Sequence, residues 1–411
     1  MRPLLRFASL AIFVLVSACA QKQAPPPGTP PVAQVQPAPV PAKPTQSAPR
    51  PGLPAGSVTP QVAPAGGTLV GIVLPLSGPS ATIGTAMLNA AQLALFELAS
   101  PDLTLLPFDS AGTAEGAADA VRQAVGQHVD IIVGPLFAAE ARAATPIAEA
   151  ARVPLLSLSA DQSVAGHGTY VMGFLPGPQA VRIVQYAASQ GKMRQAILAP
   201  NNEYGRRVVA AATNGLTGSG VALGPVEYYD PAALDLTGSL KRLLINRKDD
   251  DAGFDALLLP DDGQRLRRTG EQWANQGVPD GHVTLLGTML WDDAHPGDIP
   301  SLSGGWYAVA PGAGFADFAK RYTKDFGGQP PRLASLAYDA TAFAAVLGKR
   351  SAHDFSPGIL TNPQGFAGVD GLFRLNLDGT ITRAYAIKEV VPNGQPKEIV
   401  PAAKSFEDHP A

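Results

Sequence analysis

The chain has 411 residues, more than one typical domain needs, and 45% of them are hydrophobic, enough to build sizeable cores. With 31 Lys and Arg against 34 Asp and Glu the net charge is −3, so no basic excess points to nucleic acid and no polybasic run to a charged membrane surface. One cysteine excludes an internal disulfide and any multi-Cys metal site.

The first residues carry a targeting pattern. Arg2 and Arg6 make a positive start, and Phe7 to Val16 is an apolar run too short to span a bilayer. It ends in Val16-Ser17-Ala18-Cys19, which resembles a bacterial lipobox; an ordinary secretory signal with a chance cysteine is the alternative. On the lipobox reading, residues 1–18 are a signal peptide and Cys19 carries the lipid. Each buried methylene of that lipid would contribute about 0.8 kcal/mol to anchoring. Ala20 rather than Asp follows the cysteine, and by resemblance to Gram-negative sorting this implies the periplasmic face of the outer membrane. From Ala20 to Gly67 fourteen residues are Pro and the only charges are Lys22, Lys43 and Arg50. Such a segment buries too little apolar surface to fold, so 19–67 reads as a tether that would span roughly 40 Å if flexible.

From Thr68 strands and helices alternate. Leu69 to Leu74 is an apolar strand stopped by Pro75-Leu76-Ser77-Gly78-Pro79, and a helix opens at Ile83. Leu103 to Phe108, Val129 to Val133 and Val153 to Leu158 read as further strands, separated by helices at Ala114 to Gln127 and Ala138 to Ala151. Phe174 to Pro178 looks like a crossover, after which the pattern begins again. Gln179 to Gln190 is helix, Gln195 to Ala199 strand, and Asn201 to Gly205 a loop opening another helix. Strands follow at Gly224 to Tyr229, Ala256 to Leu259, His282 to Leu286 and Trp306 to Val309. Helices are expected at Leu236 to Asn246, Gly263 to Gln276, Phe315 to Phe326 and Leu333 to Gly348. Gly371 to Thr380 with Arg383 to Val391 reads as a hairpin around Asp378-Gly379. Alternation of this kind predicts an α/β fold of two doubly wound parallel sheets.

No catalytic signature stands out. There is no His-Glu-x-x-His, no P-loop spacing and no dinucleotide spacing, and the six His are scattered. The run Asp249-Asp250-Asp251 reads as a solvated turn rather than a metal site. No metal, cofactor or enzymatic activity is expected.

Four stretches in order carry a resemblance: Leu74-Pro75-Leu76-Ser77-Gly78-Pro79, Val133-Gly134-Pro135-Leu136, Val153-Pro154-Leu155-Leu156-Ser157 and Asn202-Glu203-Tyr204-Gly205. Together they resemble the type I periplasmic binding protein fold in its leucine-binding-like branch, over about residues 68–400. The resemblance implies two lobes, three crossovers and a ligand cleft between them. It divides the chain into lobe 1 at 68–174 and 301–348, lobe 2 at 175–300 and 349–400, and a tail at 401–411. Residues expected to face the cleft are Ser77, Ser157, Ser159, Asp161, Tyr204 and Asp261; helix capping is the alternative for each. Amino-acid receptors of the branch bind the ligand carboxylate with hydroxyls and its ammonium with an acid. Here Phe137-Ala138-Ala139-Glu140 offers no hydroxyl, Asp161 stands where a Thr is expected, and Met289 is near the acidic position. A carboxylate at 161 would repel another carboxylate.

Other stretches, Ala199 to Val208, Tyr228-Tyr229-Asp230-Pro231 and the closing Gly371-Leu372-Phe373 with Asp378-Gly379-Thr380, resemble the carboxyl-terminal domain of lipoproteins that activate penicillin-binding proteins. That resemblance implies a non-enzymatic activator of a peptidoglycan synthase, with a penicillin-binding protein as partner and the membrane reached through Cys19. The alternative is a solute-binding receptor of an ABC transporter, for an amino acid or another small polar ligand held in the cleft. The width of the cleft discriminates: an open one favours the receptor, one filled by side chains favours the docking module.

Overall fold

In the first strand, Val70, Ile72 and Leu74 turn to one face and Val73 to the other, and all four are fully buried. A strand covered on both faces belongs to the middle of a parallel sheet. The computed structural model describes residues 67–98, 102–351 and 353–407. Cys19, the signal sequence and nearly all of the tether lie outside the described residues.

Strand β1 (Thr68–Leu74) leads into α1 (Ala81–Glu97), followed by β2 (Leu103–Asp109), α2 (Ala114–Gly126), β3 (Ile131–Val133), α3 (Ala138–Ala151), β4 (Leu155–Ser157) and β5 (Thr169–Val171). Their sheet runs β2-β1-β3-β4-β5, every pair parallel. A second wheel follows: α4 (Pro176–Ser189), β6 (Arg194–Pro200), α5 (Glu203–Leu216), β7 (Ala222–Tyr229), α6 (Thr237–Leu243), β8 (Ala256–Leu258), α7 (Gly263–Ala274), β9 (Thr284–Gly287), the short α8 (Leu290–Asp293) and β10 (Trp306–Val309). Its parallel strands repeat the first order as β7-β6-β8-β9-β10. In each lobe the order reverses beside the first strand, and the crevice beyond the strand ends at that point is where α/β sheets hold ligands.

Each lobe starts with the same glycine device. Helix α1 begins two residues before Ile83, close against the end of β1. A Cβ on Gly84 would stand 2.0 Å from the Pro75 carbonyl oxygen, and one on Gly205 would stand 1.9 Å from that of Pro200. Either side chain would push the helix off the strand whose loop it closes. Asn202 caps α5 by accepting from the Gly205 N–H at 2.8 Å.

The chain then returns to the first lobe. Helices α9 (Gly312–Phe326) and α10 (Ala334–Arg350) pack there: Leu336, Ala340 and Phe343 share a core with Val70, Ile72 and Leu74, while Phe318 and Tyr322 meet Ala90 and Leu93 of α1. After the short α11 (Pro357–Leu360) come β11 (Phe366–Gly368), β12 (Gly371–Leu375) and β13 (Ile381–Arg383), a small antiparallel sheet. Finally β14 (Ala386–Glu389) pairs antiparallel with β10, and β15 (Lys397–Val400) with β14.

Two lobe boundaries expected from the sequence are corrected. Trp306 to Val309 does not open a lobe 1 segment at 301 but completes the second sheet, between β9 and β14. Residues 349–383 do not belong to lobe 2, because Phe373, Leu375 and Ile381 are buried in the first lobe's core. The expected closing hairpin is present only as β12 and β13, with Asp378-Gly379 at its turn; β14 leaves for the other lobe.

The chain therefore passes between lobes near residues 172–175, 310–311 and 384–385, and the buried Arg383 and the partly buried Arg332 brace those passages. Arg383 donates from Nη2 to the Met172 carbonyl at 3.3 Å, and Arg332 donates from Nη2 to the Ala310 carbonyl at 3.5 Å. Their guanidiniums lie 5.1 and 5.7 Å from the centre of the Phe174 ring. The end of the chain makes a further link: Ala402 packs on the second lobe, while Phe406 lies under Arg374 at 4.6 Å and Glu407 accepts from Gln364 at 2.6 Å on the first.

Candidate functional site

Between the lobes lies a cleft of about 730 Å³. Its walls are the loops beyond the strand ends: Leu136 and Phe137 after β3 and Leu158 to Asp161 after β4 on one side, Asn202 to Tyr204 after β6 and Met289 after β9 on the other. Phe174, in the first passage, and Arg332, which donates to the second, also line it. Most of the lining is apolar, with polar groups at a few points, the composition of a small-molecule site.

Three of the six residues expected to face the cleft line it: Ser159, Asp161 and Tyr204. The other three do not. Ser77 is exposed on the loop after β1, where its backbone N–H donates to Asp109 Oδ1 at 3.1 Å. Ser157 is fully buried in β4, and its Oγ accepts the Ser159 N–H at 3.3 Å. Asp261 is also fully buried, turned into the lobe rather than the cleft. Its oxygens accept from Tyr229, from Arg265 Nε at 3.1 Å and from Thr269 at 3.0 Å. Burial raises the Asp261 carboxyl, and those three donors oppose the rise. Its work is structural.

Asp161 is the centre of the polar side of the cleft. One oxygen accepts from Arg142 Nη1 at 2.7 Å; the other accepts from Ser163 N–H at 2.9 Å and from Arg207 Nη2 at 2.5 Å. Arg207 comes from α5, so this ion pair joins the two lobes across the cleft; it also meets Glu203 at 2.6 Å. Burial works against the charge on Asp161, but hydrogen bonds from Ser163 and Arg207, with the Arg207 charge, outweigh it and hold the carboxyl at about 2. Its pKa is thus depressed from the usual value of about 4. The unfolded chain binds that proton first, so stability from this group is present above about pH 4 and is lost as pH falls toward about 2. The contribution is about 2 kcal/mol. Urea unfolding of wild type and Asp161→Asn should show a stability gap that is largest near neutral pH and narrows below about pH 4. A gap independent of pH would contradict it.

Tyr204 donates to or accepts from Thr288 Oγ1 at 2.9 Å, and burial pushes its hydroxyl above the usual tyrosine range, so it stays protonated. Gln179, almost fully buried on α4, accepts the Met289 N–H at 3.0 Å and donates to the Leu175 carbonyl at 3.0 Å, fixing the β9 loop to a passage. Asp293 lines the cleft as an exposed residue; burial of its carboxyl and the neighbouring Asp292 charge raise it, with Arg332 opposing.

Arg207, Arg332, Gln179 and Asp293 were not singled out in the sequence. Arg207 had a signal, since it stands one helical turn beyond Glu203 and Asn202, whose loop was recognised. Arg332 had none: its partners Asp370 and Phe174 are far along the chain. Among the described residues no group of His, Cys, Asp or Glu is arranged to hold a metal, and no helix is long and apolar enough to cross a membrane.

Two lobes with this strand order, three passages and a cleft between define a two-lobed binding protein of the type I class. Residues 69–394 match the family model described as periplasmic binding protein, and the chain belongs to that family. A putative branched-chain amino acid ABC transporter from Rhodospirillum rubrum superposes with a TM-score of 0.71 at 19% identity, covering 81% of this chain and 100% of that one. A branched chain amino acid ABC transporter periplasmic ligand-binding protein from Burkholderia xenovorans gives 0.67 at 16% identity, covering 82% and 95%. A solute binding protein of an ABC transporter from Rhodopseudomonas palustris, in complex with 3,4-dihydroxy benzoic acid, gives 0.61 at 19% identity, covering 82% and 97%. A curated relative, an uncharacterized protein of Rickettsia prowazekii, is 23% identical over 168 residues, 40% of this chain and 45% of that relative. The match thus spans under half the length of that relative.

Proposed function

We propose that the chain is a non-enzymatic solute receptor that captures a small molecule between its lobes for an ABC transporter. The observation that carries this is the cleft itself: about 730 Å³ of space bounded by both lobes, not a seam filled by side chains. Structural neighbours described as solute-binding proteins of ABC transporters support the same class. A lipid on Cys19 would hold the receptor at the periplasmic face of the outer membrane, with the Pro-rich tether as spacer. Metabolic labelling with a radioactive fatty acid should mark the wild type and leave Cys19→Ser unlabelled.

The experiment for the receptor is a thermal-shift screen of small metabolites on the purified chain. A ligand at a hundred times its Kd stabilises the native state by about 2.7 kcal/mol. For a body of this size that corresponds to a rise of about 4 °C in Tm. A broad library that produces no shift counts against a receptor.

The reading as an activator of a peptidoglycan synthase keeps one observation in its favour. The Arg207–Asp161 pair and the returning tail tie the lobes together through the chain's own residues. Cross-linking in the envelope should then recover a penicillin-binding protein; recovery of none, with unaltered synthase rates on adding the chain, rejects it.

A further inference from the structure

We infer that the cleft admits a small organic amine with an apolar body and turns carboxylates away, with Asp161 occupying the arginines and Asp293 meeting the ammonium. The inference rests on the receptor function proposed above and names the chemical class of its ligand.

Its first support is that the donors a carboxylate would need are already taken. Backbone N–H groups at loops beyond strand ends and at helix starts are the usual anion-binding groups of such a sheet. Here each loop brings its own acceptor. After β1 and β2, Asp109 Oδ1 accepts from Leu76, Ser77 and Ala111. After β3, Glu140 accepts from the Phe137 N–H at 2.9 Å. After β4, Asp161 accepts from Ser163 at 2.9 Å, and after β6 Asn202 accepts from Gly205 at 2.8 Å.

The side-chain cations are taken as well. Arg207 is held by Asp161 and Glu203, Arg265 by Asp261 and Asp262, and Arg332 by Asp370 at 2.7 Å. Arg142, behind Asp161, is paired with it too. Against these guanidiniums stand more carboxylates than they can neutralise, because Asp293 also lines the cleft and has no ion pair among the described residues. An incoming carboxylate would have to displace Asp161 from two guanidiniums or sit beside the Asp293 carboxyl. An ammonium instead pairs with that carboxyl and favours its charged form.

The rest of the lining fits the apolar body. Phe137 is an exposed aromatic at the rim, 38% accessible, and Leu136, Leu158, Met289 and Leu333 continue the surface. An aromatic ring and an unpaired carboxylate lining one cleft suit an organic cation.

The test uses four probes with one phenyl body: 2-phenylethylamine, 2-phenylethanol, phenylalanine and 3-phenylpropionate, titrated calorimetrically into the full chain. The amine should bind about tenfold or more tightly than the acid. Asp293→Asn, at an exposed position, should weaken the amine about tenfold and leave the alcohol unchanged. Asp161→Asn keeps the oxygen that caps Ser163 but removes the charge that pairs with Arg142 and one of the two acids that hold Arg207, so the acid should gain about tenfold. Tighter binding of the acid or of phenylalanine to the wild type would overturn the inference, as would an unchanged ranking in both variants or no response to the amine at millimolar concentration. The receptor function itself falls only if the full metabolite screen is silent too.

Discussion

Arg383→Met is expected to cost about 3–5 kcal/mol of stability, because it removes a buried cation whose charge opposes that of a buried pair of carboxylates. Asp339 and Asp370 are fully buried, and Arg383 is 5% exposed where β13 gives way to the last passage between lobes. Asp370 is partly served: Ser335 donates to it at 2.5 Å and Arg332 lies 2.7 Å away. Asp339 accepts only backbone N–H groups, from Val369 at 2.8 Å and Asp370 at 3.4 Å. Burial and the Asp370 charge raise the Asp339 carboxyl to about 7, with the Arg383 charge opposing. Among the described residues Arg383 Nε and Nη1 have no hydrogen-bond partner; its guanidinium lies 5.1 and 5.3 Å from the Phe174 and Phe373 ring centres. The group's native pKa lies above its unfolded value of about 4, so the native state binds the extra proton between about pH 4 and about pH 7. Stability from Asp339 is therefore full below that window and is lost as pH rises through it. Without Arg383 the loss becomes steeper, so denaturant unfolding should show a larger deficit near pH 8 than near pH 5. An equal deficit at both would mean that the arginine acts by packing alone.

The second large effect is expected at Trp291. Trp291→Ala should destabilise by about 3–5 kcal/mol, since the indole is among the largest fully buried side chains of the chain. It packs so tightly on the end of β9 that a Cβ on Gly287 would stand 2.3 Å from the ring. Its Nε1 donates to the Leu259 carbonyl at 3.0 Å, joining the loops after β8 and β9 that form one wall of the cleft. Removing it leaves a cavity and takes one of two donors from the Leu259 carbonyl, which keeps the Asp261 N–H at 2.9 Å. Trp291→Phe refills most of the cavity and should recover most of the stability, while the lost hydrogen bond continues to cost about 0.5–1.5 kcal/mol. Equal losses for Ala and Phe would place the whole effect in the hydrogen bond.

The fold was legible because the signals that specify it are local. Apolar runs such as Val70 to Leu74, stopped at once by Pro and Gly, mark strand ends without knowledge of any partner. The lobe boundaries were less legible because they depend on pairing. Trp306 to Val309 reads the same whichever sheet it joins, and only β9 and β14 beside it decide the matter. The same holds for Phe366 to Gly368, three residues that become a strand through pairing with β12.

The cleft divides in the same way. Ser159, Asp161 and Tyr204 follow strand ends closely, and position along the chain was enough to place them. Asp261 follows a strand end too, yet Tyr229, Arg265 and Thr269 close around it and take it out of the cleft. The repulsion expected between Asp161 and a ligand carboxylate was visible from residue type. That Arg142 and Arg207 would already hold it was not, because those arginines lie on two different helices in two lobes.

The central claim is that the space between the lobes is a ligand site, and filling that space tests it most directly. Ala160 is exposed on the cleft wall after β4, so Ala160→Trp occupies the cleft without disturbing a packed core. A compound found to stabilise the wild type should be titrated calorimetrically into both proteins. One molecule bound per wild-type chain, and none by Ala160→Trp at unchanged melting temperature, is the predicted result. Equal binding by both would contradict the account.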